Sequence, residues 1–143
     1  MIDKIFIPTV CRAENQITYD ALPPELKEKV VFVVQAWERD QYKYDNEYLV
    51  LPEWLTLDSK NPISNTRQII YEAGVDCKYA MLDDDLIFRR RNHKYWTGES
   101  NMEKSQRVCT EDDVREMFQR FDEWTDLPDV SFVGPGHLQH PPT

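Results

Sequence analysis

"YAMLDDDLIF", residues 79–88, sets three consecutive aspartates between two apolar runs. Adjacent like charges repel one another, and the cost is greatest where water is excluded. Either the acids sit at the solvated end of a strand, or a cation joins them there. The apolar residues before them read as a buried strand, "KYAML" at 78–82, so the triplet marks that strand's carboxyl end.

Working outward, three more segments have the same character. "KIFIPTV" (4–10) is a short apolar run ending at Pro8-Thr9, and "VVFVVQAW" (30–37) is too rich in β-branched residues for a helix. "YLVLPE" (48–53) reads as a further short strand. Between them, Pro23-Pro24 opens one or two helical turns in "ELKEK", and "ERDQYKYDNEY" (38–48), polar, aromatic and without period, reads as loop. Ser64 is placed to cap a helix carrying Ile69, Ile70 and Ala73, with Gly74 as a left-handed stop. The charged segment 89–109 reads as a surface excursion. After it, Thr110 starts the clearest helix, with Val114, Met117, Phe118, Phe121 and Trp124 on one face. "VSFVG" (130–134) reads as a fifth strand. Strands alternating with helices in this order predict an α/β domain with a largely parallel sheet, whose ligands gather at the carboxyl ends of the strands. Thr9, Glu38 and the aspartates all fall there.

Composition sets bounds on partners. With 143 residues, 41% of them hydrophobic, the chain suits one compact domain spanning 1–143. A formal charge of −9 argues against tight passive binding to nucleic acid. It leaves room for an enzyme that meets nucleic acid briefly, or that holds anionic ligands through a metal. No run of eighteen apolar residues predicts a membrane span, and "MIDKIFIPTV" is too short and strand-like for a signal peptide. Cys11, Cys77 and Cys109, odd in number and without CxxC spacing, favour a reduced, cytoplasmic setting, the host's if the source is viral.

Side chains on a strand alternate, so Asp83 and Asp85 are expected to point to one side and Asp84 to the other. Two carboxylates on one side suit Mg²⁺ or Mn²⁺, hard ions that keep positions open for water and substrate phosphates. A solvated acidic turn is the plain alternative. Arg89, Arg90 and Arg91 could hold phosphate, pair with the aspartates or be solvated. His137 and His140 have a spacing compatible with one metal but sit in a tail. Of the tryptophans, Trp54 and Trp124 read as packing residues and Trp96 as the one suited to stacking on a sugar or base.

"FIPTVCR" (6–12) resembles the first strand of family 2 type GT-A glycosyltransferases: an apolar strand, then Pro-Thr, two residues and Arg. "ISNTRQIIYEAGVDCKYAMLDDDLIF" (63–88) is similar to that family's helix and strand leading into its DxD motif. The resemblance implies a small or truncated GT-A-like, Rossmann-related fold and a metal-assisted transfer of sugar from a nucleotide-diphosphate donor, a UDP-sugar favoured. It places Asp85 on the metal with Asp83 in support, and Asp83 also at the nucleotide's ribose. Thr9, Arg12, Arg67 and Asp84 join Asp83 as nucleotide-binding residues. Small members of the family include phage-encoded enzymes that glycosylate modified DNA bases, an acceptor that "RRRNHKYW" (89–96) would suit and that the charge of −9 counts against.

The chain also departs from the family. "QAWERD" (35–40) replaces the usual acidic, Gly- and Ser-containing loop, leaving base contacts by Glu38 or Asp40 open. Only 55 residues follow Phe88, so the acceptor half is expected to be short or missing and transfer by this chain alone to be poor. Asp122, Glu123 and Asp126 read as a solvated helix face, and no catalytic base is assigned. The rival functions are another metal-dependent nucleotidyl- or phosphate-handling activity, and a degenerate domain that binds a partner.

Overall fold

In the computed structural model, which describes residues 1–91 and 106–135, the four apolar runs become parallel strands. These are β1 (Lys4–Pro8), β2 (Val30–Val34), β3 (Glu47–Val50) and β4 (Tyr79–Met81). They form one sheet in the order β3-β2-β1-β4, with Phe6 opposite both Val31 and Met81. Short helices α1 (Ile17–Ala21) and α2 (Pro24–Lys27) connect β1 to β2, and α3 (Pro62–Ala73) lies between β3 and β4. This is a small Rossmann-like α/β fold. Every residue of β2 is buried, as a central strand covered on both faces requires.

Strand alternation divides the core. Phe6, Val31 and Val33 pack with Leu51, Leu55 and Ile70, the last from α3. The alternate residues Ile5, Ile7, Phe32 and Val34 are also fully buried. Phe32 lies at the centre of an aromatic cluster, with ring centroids 5.2 Å from Tyr19, 4.9 Å from Tyr44 and 5.6 Å from Tyr48. The tyrosines that made 38–48 look like polar loop are therefore core residues with a polar tip. The start of that segment, with Ala36 and Trp37 from the end of the expected strand, is a 3₁₀ helix (Ala36–Gln41) rather than loop, and it buries Glu38 completely.

Both expected ends of α3 are corrected. Ser64 does not cap it: the helix begins at Pro62, whose fixed φ suits a first helical turn, and the N-cap is Asn61 at φ 52°. Gly74 closes it at φ −98°, so no left-handed stop is needed. Glycine is required there for space, because a Cβ would lie 2.4 Å from Cδ1 of the Tyr79 ring.

The chain divides into two compact units, Met1–Leu86 and Ile87–Thr143. The first holds the sheet. In the second, β5 (Arg89–Arg91) pairs antiparallel with β6 (Gln106–Val108), so both ends of the expected surface excursion are strand. Trp96, His137 and His140 lie outside the described residues. Residues 130–134 are not a strand: among the described residues none pairs with them, and Phe132 is 87% exposed. Helix α4 (Glu111–Thr125) starts where expected, on a capping box between Thr110 and Asp113. Val114 and Phe118 are buried, whereas Trp124 is 46% exposed and is no core residue. Trp54, at 65% exposed, does not pack as expected either.

Asp113 organises the described part of the second unit. Both terminal nitrogens of Arg107 donate to its carboxylate, as do the Thr110 N–H (2.9 Å) and Arg90 Nη1 (2.9 Å). Arg107 first, then the Thr110 amide and Arg90, hold this carboxyl far below the usual carboxylate range. A carboxylate with a lowered folded-state pKa contributes stability that is complete above its unfolded value and lost as pH falls through the folded one. Asp113→Asn should therefore lose stability at neutral pH. The gap to the parent should narrow only as pH drops below about 4, the ordinary aspartate value. Denaturation midpoints across pH 2–7 check this, and a gap independent of pH would refute the charge account. Gly74→Ala, forced against the Tyr79 ring, should cost about 1–3 kcal/mol in urea unfolding. An unchanged midpoint would show that the ring moves aside freely.

Candidate functional site

The order β3-β2-β1-β4 reverses direction at β1, where β2 and its connections lie on one side and β4 on the other. Such switch points leave a crevice at the carboxyl ends of the strands. A cavity of about 330 Å³ opens there, lined from β1 (Pro8, Thr9), from β2 and its exit (Val33, Gln35), from the start of α3 (Thr66, Arg67) and from Asp83 and Asp84.

The aspartates themselves form a turn. β4 ends at Met81, so the alternation expected of a continuing strand does not apply, and Asp84-Asp85 turn the chain. Thr18, buried in α1, clamps that turn from across the sequence. Its Oγ1 donates to the Asp83 carbonyl (2.5 Å) and accepts from the Leu86 N–H (2.8 Å), while its own N–H donates to the Asp84 carbonyl (3.1 Å). The three acids are then treated differently. The Asp84 side chain turns inward, 15% exposed: it accepts from Thr9 Oγ1 at 2.7 Å and lies 3.4 Å from Arg12 Nε. Asp85 is 57% exposed and 4.0 Å from Arg12 Nη2, and Asp83 is exposed at the cavity wall.

Behind Thr9 runs a buried polar chain. Gln16 Nε2 donates to Thr9 Oγ1 (2.8 Å) and to the Arg12 carbonyl (2.9 Å). The Tyr42 hydroxyl lies 3.4 Å from Thr9 Oγ1 and donates to Glu38 Oε1 (3.3 Å). Burial pushes the Tyr42 phenol above its ordinary pKa, the Glu38 carboxylate adding to the rise. Glu38 Oε2 accepts the Cys11 N–H at 2.8 Å, holding Cys11 at φ 56°, an uncommon conformation for a residue with a Cβ. Glu38 thus faces inward to the loop that carries Arg12, and Asp40 is exposed.

Thr9, Arg67, Asp83 and Asp84 line one cavity, and Arg12 and Asp85 flank it through the Arg12–aspartate contacts. Residues 3–135 match the family described as TET-associated glycosyltransferase. The chain belongs to that family. No curated protein and no solved structure matches it. As a member of a glycosyltransferase family the protein is a transferase acting on a sugar donor, the activity class the motifs predicted. Among the described residues no helix is long and apolar enough to cross a membrane.

A larger cavity of this glycosyltransferase, about 590 Å³, belongs to the second unit, between the Arg89–Arg91 strand and the Trp124 face of α4. Its charges are largely matched internally: Arg90 reaches Asp113 and Glu116, and Arg120 reaches Glu116. The switch-point cavity is the better candidate, because it sits where the sheet topology creates a site and exposes acids at its edge.

Sequence reasoning missed Gln16, Thr18 and Tyr42. None stands near the triplet in the chain, and a lone Thr or Gln in a polar stretch gives no spacing signal. Thr18→Val keeps the shape and removes the hydroxyl, leaving the Leu86 N–H and Asp83 carbonyl without that partner. Stability should fall by about 1–3 kcal/mol. Amide exchange at 83–86 should accelerate, and exchange unchanged from the parent would show that the clamp does not hold the turn.

Proposed function

We propose that this glycosyltransferase takes a nucleoside-diphosphate sugar, a UDP-sugar in preference, into the switch-point cavity in a family 2 type GT-A manner. The acceptor in this reading is a hydroxyl on a modified DNA base. The observation that carries the donor reading is the convergence of Thr9, Arg67, Asp83 and Asp84 on one cavity at the carboxyl ends of parallel strands. The family's association with TET supports the acceptor reading.

The aspartate turn fits a hard divalent cation. Asp83 and Asp85 offer exposed oxygens, and among the described residues no group of three His, Cys, Asp or Glu side chains assembles a complete metal cage. Mg²⁺ and Mn²⁺ at phosphate sites use one or two carboxylates and take the rest of their ligands from water and substrate. Asp85, with Asp83 in support, would hold such an ion. When bound it supplies Lewis-acid neutralisation of the departing nucleoside diphosphate.

The chain's own groups do the remaining work. Arg67 brings a guanidinium to the cavity, suited to a phosphate oxygen and to charge that grows as the glycosidic bond breaks. Thr9 and Arg12 hold Asp84 inward while Asp83 and Asp85 stay exposed, and in this reading the loop after β1 borders the nucleotide.

Three outcomes test this reading. UDP should raise the melting temperature only with Mn²⁺ or Mg²⁺ present, by an amount worth roughly 2.7 kcal/mol at a hundred times its dissociation constant. An equal shift with chelator would remove the cation from the account. In calorimetry with UDP saturating, Asp85→Ala should weaken Mn²⁺ binding at least about tenfold, equivalent to ~1.4 kcal/mol. Unchanged affinity would exclude Asp85 as a ligand. Transfer is then assayed by nucleoside-diphosphate release over oligonucleotides carrying hydroxyl-bearing bases; release equally fast without them would rule out that acceptor class.

A further inference from the structure

Glu38 is completely buried, so its carboxyl group can touch no ligand. Its partners are a phenol and a backbone amide: the Tyr42 hydroxyl donates to Oε1 (3.3 Å) and the Cys11 N–H to Oε2 (2.8 Å). Burying a carboxyl group is costly, and two neutral donors offset only part of that cost. Both partners lead to the aspartate turn. Tyr42 lies beside Thr9, whose Oγ1 donates to Asp84. Cys11 precedes Arg12, whose guanidinium lies 3.4 Å from Asp84 and 4.0 Å from Asp85. On the far side the Arg12 carbonyl accepts from Gln16 Nε2 (2.9 Å) and from the Asn15 N–H (3.2 Å). The Arg12 backbone is thus held from both ends, while its side chain remains 34% exposed.

We infer that Glu38 is a positioning residue that acts through Arg12, holding the Cys11 turn so that the guanidinium stands at the aspartate turn before a diphosphate arrives. The role rests on the donor reading given above. The left-handed turn at Cys11, φ 56°, sets the direction in which the chain leaves for Arg12. Were that turn needed for folding alone, a glycine would make it without a buried carboxyl group. A residue with a Cβ there makes the conformation depend on the Glu38 bond that holds it. A guanidinium already in place needs little ordering when an anion binds. If the turn relaxes, only the molecules that still form it bind, and the apparent affinity falls by that fraction. The left-handed conformation costs a residue with a Cβ the equivalent of roughly five- to thirtyfold, which sets the size of the expected effect.

The experiment is calorimetry on the purified chain with Mn²⁺, using UDP, and inorganic pyrophosphate as the base-free probe. Glutamine keeps the shape of Glu38, but its NH₂ cannot accept where the second oxygen did. Glu38→Gln should therefore lose roughly five- to thirtyfold in affinity, by the same factor for UDP and pyrophosphate. Adding Cys11→Gly should restore most of that loss, because glycine takes a positive φ freely. Cys11→Val, at an exposed position, disfavours the turn with Glu38 intact and should weaken both ligands alike. It carries the test if Glu38→Gln does not fold. With Arg12→Met already in place, Glu38→Gln should add less than about twofold, since the two act as one unit. Full affinity in folded Glu38→Gln or Cys11→Val, with or without a lower melting temperature, makes the role structural only and overturns the inference. So does a loss that glycine does not rescue, an undiminished effect beside Arg12→Met, or a loss for UDP with pyrophosphate unchanged. A parent that binds neither UDP nor pyrophosphate overturns the donor reading, and the inference with it.

Discussion

The 2.7 Å hydrogen bond from Thr9 Oγ1 to Asp84 Oδ2 joins the exits of β1 and β4. These strands are parallel neighbours whose register ends at Phe6 and Met81, with a last backbone bond from the Leu82 N–H to the Phe6 carbonyl (3.0 Å). The bond from Thr9, with Arg12 alongside and Thr18 clamping the backbone, keeps the two exits together as one wall of a cavity. Without it the acids would be a loop beside a sheet. With it they are part of a site at the topological switch point.

That arrangement answers how an apolar strand can run into three carboxylates. Only one of them turns inward, and it meets a hydroxyl and a guanidinium. The other two stay in water, where repulsion is screened and neither needs a partner to be stable. A solvated acidic turn and a cation site are consequently not opposed descriptions here. The inward Asp84 sets the turn, and the outward pair is available to an ion that arrives with a diphosphate.

β1 and β2 were legible because burial on both faces writes an uninterrupted apolar run, and β4, half-buried rather than buried, still kept enough of one to mark the aspartates' place at a strand end. Thr9 and the acids could be placed together because each sits just past such a run, whereas Arg67 was named only through the family resemblance. What the sequence concealed was non-local. Thr18 acts on residues 65 to 68 positions away. The tyrosines around Phe32 looked polar because composition counts the hydroxyl and not the ring. The arginine strand β5 was hidden because an exposed antiparallel pair needs no apolar pattern, whereas 130–134 had the pattern and no partner among the described residues.

Charge distribution completes the account. A chain of net charge −9 can accept a polyanionic donor only where local cations prevail or a metal intervenes, and the switch-point cavity offers Arg67 together with the outward acids. Hydrogen exchange read by peptide mass, with and without UDP and Mn²⁺, asks most directly whether that cavity is the donor site. The expected result is new protection at residues 8–12, 35, 62–67 and 82–86, with 106–125 unchanged. Protection confined to 106–125, with the switch-point segments untouched, would contradict it.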